Sequence, residues 1–166
     1  DLARLHEAAR LFSATGNHFV VIGMGALGEV TRVLPACFGS AFTYASLEKG
    51  REVAPGQLDV ATLKALGDRP VITGLTGMPL SHSRSPAMHD HAFRSLGLPG
   101  KYLLFPAREE ELGGLVDLMR ALQIRGLNVT IPHKSAVMPL LDTIEPLAER
   151  AGAVNVITNR GGKLEG

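Results

Sequence analysis

The chain has 166 residues, 45% of them apolar and 20% charged, with 17 lysines and arginines against 16 aspartates and glutamates. That length suits one ordinary domain or two small ones, and that composition excludes disordered and fibrous chains. Six basic residues face six acidic ones before Gly67 and eleven face ten after it, so neither half carries the charge of a nucleic-acid-binding module. The longest strongly apolar stretch, residues 19–27, is about half of the roughly 20 residues a membrane span needs.

Leu2, Leu5, Ala9 and Phe12 recur at helical spacing up to Gly16-Asn17, and residues 19–22 then predict a buried strand. A glycine-rich turn leads into a short segment over 29–34 stopped by Pro35, followed by a strand over 38–46 rich in Phe, Thr and Tyr. Asp59 predicts the N-cap of a helix that runs to Leu66 and stops at Gly67. The stretch Gly67-Asp68-Arg69-Pro70 has the composition of a linker, which divides the chain into 1–67 and 68–166. Beyond it, residues 71–73 predict a strand. Ser85 and Pro86 predict the N-cap and first position of a helix with Met88, Ala92 and Leu96 along its apolar face. Residues 102–105 predict a strand. Glu109, Glu110 and Glu111 sit where a helix dipole favours negative charge, ahead of an apolar face of Leu112, Leu115, Val116, Met119 and Leu122. A strand over 126–130, a short helix from Pro132, a helix over 144–151 and a strand over 153–158 complete an α/β alternation.

The single cysteine, Cys37, cannot form an intramolecular disulfide and points to a reducing, cytoplasmic setting. Beside Phe38 it reads as a small buried hydrophobe. The acid-containing first ten residues do not read as a signal peptide. Among the histidines, His89 and His91 lie two apart on a predicted helix and point to different faces, which does not suit a shared metal, so no metal is expected.

The turn Gly23-Met24-Gly25-Ala26-Leu27-Gly28 follows a predicted strand in G-x-G-x-x-G spacing, and Glu48 stands 20 residues beyond Gly28, where a ribose-binding acid belongs. A dinucleotide-binding module is therefore one reading. Pro35 opposes it, because a helix packing on a Rossmann sheet must continue for several turns. The turn together with Thr31-Arg32-Val33-Leu34, Phe38-Gly39-Ser40, Thr43-Tyr44-Ala45-Ser46 and Ala54-Pro55-Gly56-Gln57 resembles the C-terminal end of type I 3-dehydroquinate dehydratases. The resemblance implies part of a (β/α)8 barrel, with Arg32 clamping a substrate carboxylate through its planar fork and Gln57 bonding a ring hydroxyl of 3-dehydroquinate. The family's Schiff-base lysine and general-base histidine have no counterpart motifs here, and Val53 stands where the family commonly has serine. Arg32 is also open to reading as a surface arginine.

In the second half, Ser81-His82-Ser83-Arg84-Ser85-Pro86 gathers hydroxyls before a helix N-terminus, an arrangement suited to a small carboxylate carrying alcohols. Helix capping by Ser85 explains one of the three serines. Asn128, Thr130 and Lys134, in Gly126-Leu127-Asn128-Val129-Thr130-Ile131-Pro132-His133-Lys134, can converge at the carboxyl end of a strand, where open α/β sheets bind ligands. A first-turn lysine meets the positive end of the helix dipole, which opposes its charged form; a solvated surface lysine is the competing reading.

These two stretches, with His89 and then Gly152-Ala153-Val154-Asn155, resemble the N-terminal substrate domain of shikimate dehydrogenases in motif and order over residues 70–166. The resemblance implies an α/β domain with a mainly parallel sheet. In it Ser83 and Ser85 bind the shikimate carboxylate, Thr130 and Asn155 bind ring hydroxyls with Asn128 beside them, and Lys134 is the acid/base for NADPH-dependent reduction of 3-dehydroshikimate to shikimate. Asp90 departs from the asparagine usual after the histidine. The family's Asn-Thr-Asp motif and nucleotide domain are not in the sequence, so no cofactor-binding residue is expected and NADP is expected to bind mainly outside this chain. The whole reads as a piece of a bifunctional dehydratase/dehydrogenase, inactive by itself. A non-catalytic shikimate-binding or regulatory protein is the alternative. A partial barrel leaves open strand edges, which predicts a larger parent, a rearrangement or a partner chain, self-association included.

Overall fold

The computed structural model describes residues 2–166, which form two compact units divided between Pro70 and Val71.

The first unit opens with α1 (Leu2–Ser13) and continues through α2 (Gly25–Val33) into a 3-10 turn at Pro35–Phe38. Pro35 ends α2 where its missing N–H could no longer extend the ladder. Val30, Val33, Leu34 and Phe38 are buried here, and His6 packs edge-on to the Phe38 ring at 5.4 Å. The apolar run 19–22 is not a strand. No strand pairs with it among the described residues; the Ser40 hydroxyl accepts from Val21 N–H at 2.8 Å and Phe19 carbonyl accepts from Ala41 N–H at 2.9 Å. The strand expected over 38–46 shrinks to β1 (Ala45–Ser46), paired in parallel with β2 (Leu58–Asp59). Next comes α3 (Val60–Leu66). Asp59 accepts from Thr62 N–H at 2.9 Å, as expected of the cap, and Gly67 closes the helix at φ 65°. Cys37 is exposed rather than buried, because the 3-10 turn sends Phe38 inward in its place.

The second unit is built on a five-stranded sheet. In chain order it comprises β3 (Val71–Gly77), α4 (Ser85–Ser95), β4 (Gly100–Pro106), α5 (Leu112–Ala121), β5 (Gly126–Val129), α6 (His133–Ala136), α7 (Pro146–Ala151), β6 (Val156–Arg160) and β7 (Lys163–Glu165). The strand order is β4-β3-β5-β6-β7; β3 is parallel to both neighbours, and the β5-β6 and β6-β7 pairs are antiparallel. Register aligns Leu103, Gly74, Leu127 and Ile157 across four strands, and the three large side chains of that row are nearly fully buried. Because side chains alternate between faces, Tyr102, Leu104, Leu75 and Asn128 lie on the opposite face.

Helix α5 follows its sequence pattern, burying Leu112, Leu115, Val116 and Met119, with Leu122 buried just beyond its end. The three glutamates form a 3-10 turn ahead of it. Helix α4 turns differently from its predicted face: Met88 is 62% exposed and Leu96 71%. Its inner side is formed by Pro86, His89, Asp90 and Phe93. A Cβ on Gly100 would meet the Phe93 ring at 2.3 Å, His89 stacks on Tyr102, and Asp90 bonds the backbone N–H of Tyr102. Polar anchoring to β4 therefore outweighs the aliphatic stripe in setting the helix rotation. Among the described residues, no helix is long and apolar enough to cross a membrane, and no group of three or more His, Cys, Asp or Glu side chains could hold a metal.

Candidate functional site

The carboxyl ends of β3 and β5 are joined through their backbones. Thr130 N–H donates to Thr76 carbonyl at 2.9 Å, and Met78 N–H to Ile131 carbonyl at 3.0 Å. Gly77 allows this approach, since a Cβ there would stand 2.3 Å from the Thr130 methyl and 2.9 Å from Ile131 carbonyl oxygen. From the other side, Val129 N–H donates to Asn155 carbonyl and Val154 N–H to Lys134 carbonyl, both at 2.8 Å. The stretch 128–134 is thereby held between 76–78 and 152–155, so all three motifs meet at one edge of the sheet.

The serines at the start of α4 divide their work. Ser83 Oγ accepts the Ser85 N–H at 3.2 Å, and Ser85 is the first helical residue rather than the N-cap, a position that Arg84 fills without a side-chain bond. Tyr102 is 2% exposed and its hydroxyl donates to Asn128 Oδ1 at 2.7 Å. Burial pushes the phenol pKa up. Tyr102, in β4, thus holds a predicted site residue of β5, although it stands in neither motif. The available signal was a lone tyrosine inside an aliphatic strand, whose hydroxyl needs a partner once buried.

Thr130 is half-buried, Asn155 exposed, and Lys134 half-buried within α6. A four-residue helix carries little dipole, which weakens the electrostatic reason expected for Lys134; what holds it is the bond from Val154 to its carbonyl. Next to it, His133 is fully buried and its Nε2 donates to Ala107 carbonyl at 2.7 Å. Ser135 Oγ donates to Gly152 carbonyl at 2.8 Å, adding a second tie to the 152–155 loop.

In the first unit, Arg32 is 2% exposed, contrary to a surface reading. Its Nη2 lies 3.6 Å from Met24 Sδ, and its Nε has no hydrogen-bond partner among the described residues. Burial pushes its pKa down. A buried cation with no acid partner among the described residues calls for an anion. Gln57 Oε1 accepts from Val53 N–H at 2.9 Å, which leaves its amide NH2 to donate. The loop carrying it meets the start of α2, where Gly25 N–H donates to Pro55 carbonyl at 3.1 Å.

The same contacts close the glycine-rich turn. Gly23 N–H donates to Thr31 Oγ1 at 2.9 Å, Gly25 N–H is taken by Pro55, and Gly23 and Gly28 pack so tightly that a Cβ on Gly28 would stand 2.1 Å from Gly23. A pyrophosphate needs those amides free, so the turn does not fit a dinucleotide.

Comparison with known proteins gives two family matches: the shikimate dehydrogenase substrate binding domain over residues 75–157 and type I 3-dehydroquinase over residues 1–67. A shikimate dehydrogenase (NADP(+)) of Geobacillus kaustophilus is 50% identical over 95 residues, 57% of this chain and 34% of that protein. The crystal structure of shikimate 5-dehydrogenase from Thermus thermophilus in complex with NADP(H) and shikimate matches with a TM-score of 0.56 and 41% identity, covering 58% of this chain and 36% of that one. A chorismate mutase/shikimate 5-dehydrogenase fusion protein from Clostridium acetobutylicum matches with a TM-score of 0.55 and 38% identity, over 59% of this chain and 36% of that one. The chain spans about a third of the length of the curated relatives it matches.

Proposed function

The chain belongs to the shikimate dehydrogenase substrate-binding domain family, and from that premise we propose that residues 68–166 bind shikimate and 3-dehydroshikimate for their NADP-dependent interconversion. What supports this is that backbone bonds between 76–78, 128–134 and 152–155 bring together the segments carrying Asn128, Thr130, Lys134 and Asn155, with Ser83 and Ser85 at the start of the helix that follows β3. The hydroxyls of Ser83 and Ser85 take the carboxylate beside the N-terminus of α4. Asn128, Thr130 and Asn155 bond ring hydroxyls. Lys134 Nζ gives a proton to the ring carbonyl oxygen as it becomes a hydroxyl, and removes it in the reverse direction.

The cofactor of the relatives supplies hydride. The closed Gly23–Gly28 turn offers it no place, and we assign NADP mainly to protein outside these residues.

For residues 1–67 we propose the carboxylate- and hydroxyl-binding part of a type I 3-dehydroquinate dehydratase, with Arg32 as the clamp and Gln57 as the hydroxyl ligand. The buried guanidinium, whose Nε has no hydrogen-bond partner among the described residues, supports it. Dehydration would deliver 3-dehydroshikimate, the substrate of the second activity, which makes the parent a bifunctional shikimate-pathway enzyme. With one cysteine, Cys37, a cytoplasmic location fits.

Calorimetry of this chain with shikimate tests the reading. Saturable binding that weakens about tenfold or more in Ser83→Ala and Thr130→Ala is expected, one lost charge-assisted hydrogen bond being worth about 1.5–3 kcal/mol. Absence of binding at millimolar shikimate overturns it. Lys134→Met should keep binding and abolish turnover in the parent enzyme; undiminished turnover would leave a binding-only protein.

A further inference from the structure

Tyr102 is held from three sides. Its ring stacks on His89 at 4.2 Å with 11° between the planes, its backbone N–H donates to Asp90 Oδ1 at 2.9 Å, and it belongs to the buried cluster of Leu75 and Leu80. Asp90 is itself fixed by an ion pair with Lys101. The phenol therefore has one direction to point, and there it meets Asn128.

An asparagine side chain is nearly symmetric in shape, so packing alone does not decide whether its oxygen or its NH2 faces a ligand. A buried phenol must place its proton on an acceptor, and among the described residues the side chain bonded to the Tyr102 hydroxyl is Asn128, at 2.7 Å. We propose that Tyr102 is a positioning residue that fixes the Asn128 amide with its oxygen toward the phenol, so that the NH2 group is presented to the substrate as a donor. The phenol proton is spent on Asn128 Oδ1. Tyr102 acts through Asn128 and does not itself touch substrate. The same fixing selects the ligand: the group facing Asn128 must offer a lone pair, as a ring hydroxyl or carboxylate oxygen does, and an analogue with hydrogen in that place leaves the NH2 unpaired.

This inference rests on the proposed shikimate site, and a double-mutant cycle separates the two. Shikimate affinity is measured by calorimetry for the wild-type chain, Tyr102→Phe, Asn128→Ala and the double variant, with circular dichroism confirming the fold. Phenylalanine keeps the ring against His89 and removes only the hydroxyl. We expect about tenfold weaker binding in Tyr102→Phe, and no further loss when the same change is made in the Asn128→Ala background, because coupled residues are not additive. Wild-type affinity in Tyr102→Phe, or losses that simply multiply, overturns the positioning role while the shikimate site stands. No binding by the wild-type chain overturns the site itself. Should Tyr102→Phe not fold, Asn128→Asp decides: its carboxylate still accepts from the phenol but has no NH2, so binding must weaken by at least tenfold, and wild-type affinity there rejects the donor role.

Discussion

Arg32 shows how a single residue can trade stability for binding. Its guanidinium is buried beside a thioether and has an Nε unpaired among the described residues, and an uncompensated buried charge costs several kcal/mol. Arg32→Met should therefore raise the thermal midpoint of the first unit while removing its affinity for a carboxylate ligand. Thermal melts of the two proteins check this, and a lower midpoint in the variant would mean that the guanidinium is stabilised by its surroundings without a ligand. The identity of Arg32 was legible because it sits in a motif. Its burial was not, since an isolated arginine looks the same in sequence whether α2 turns it inward or outward. Tyr102 is the opposite case: its strand was legible, but the bond to Asn128, 26 positions away, depends on the β4-β3-β5 order of the sheet.

At the scale of elements, α5 and α4 differ in how well pattern determines orientation. In α5 the apolar positions all bury, and Leu112→Ala or Met119→Ala should cost about 2–5 kcal/mol in chemical denaturation. In α4 the aliphatic stripe is exposed and Phe93 is the packed side chain. Phe93→Ala should cost about 3 kcal/mol or more, whereas Leu96→Ser should stay within about 0.5 kcal/mol; the reverse order would restore the predicted face. The turn before α5 carries an acid-sensitive contact. Glu111 accepts from the Arg108 side chain at 3.0 Å and from its backbone N–H at 2.9 Å. These bonds hold its pKa at about 2, below the ordinary 4.5. A carboxyl whose pKa is depressed on folding stabilises fully above its unfolded value and loses that contribution as pH falls through the folded one. Stability should therefore decline between about pH 4.5 and pH 2, and Glu111→Gln should flatten that part of the thermal-midpoint profile. An unchanged slope would mean that the contact contributes nothing.

For the molecule as a whole, the α/β class and the motifs at the sheet edge were readable, because strand-turn-helix signals are local. The β6-β7 hairpin was missed: β7 has three residues, and its signal is the Gly161-Gly162 turn, both glycines at positive φ, which is the backbone a tight two-residue hairpin requires. The run 19–22 reads as a strand because its composition suits one, yet a strand also needs a neighbour to pair with. Each unit has its own buried core, so Arg32→Met should leave shikimate affinity unchanged. A shared change would contradict independent sites.

The most direct measurement is a crystal structure of this chain with shikimate. The ligand carboxylate should lie on Ser83 and Ser85 at the start of α4, its ring hydroxyls on Asn128, Thr130 and Asn155, and Lys134 Nζ within hydrogen-bond distance of the hydroxyl that is oxidised. Shikimate seated elsewhere, or at this edge with its carboxylate away from both serines, would contradict the proposed site.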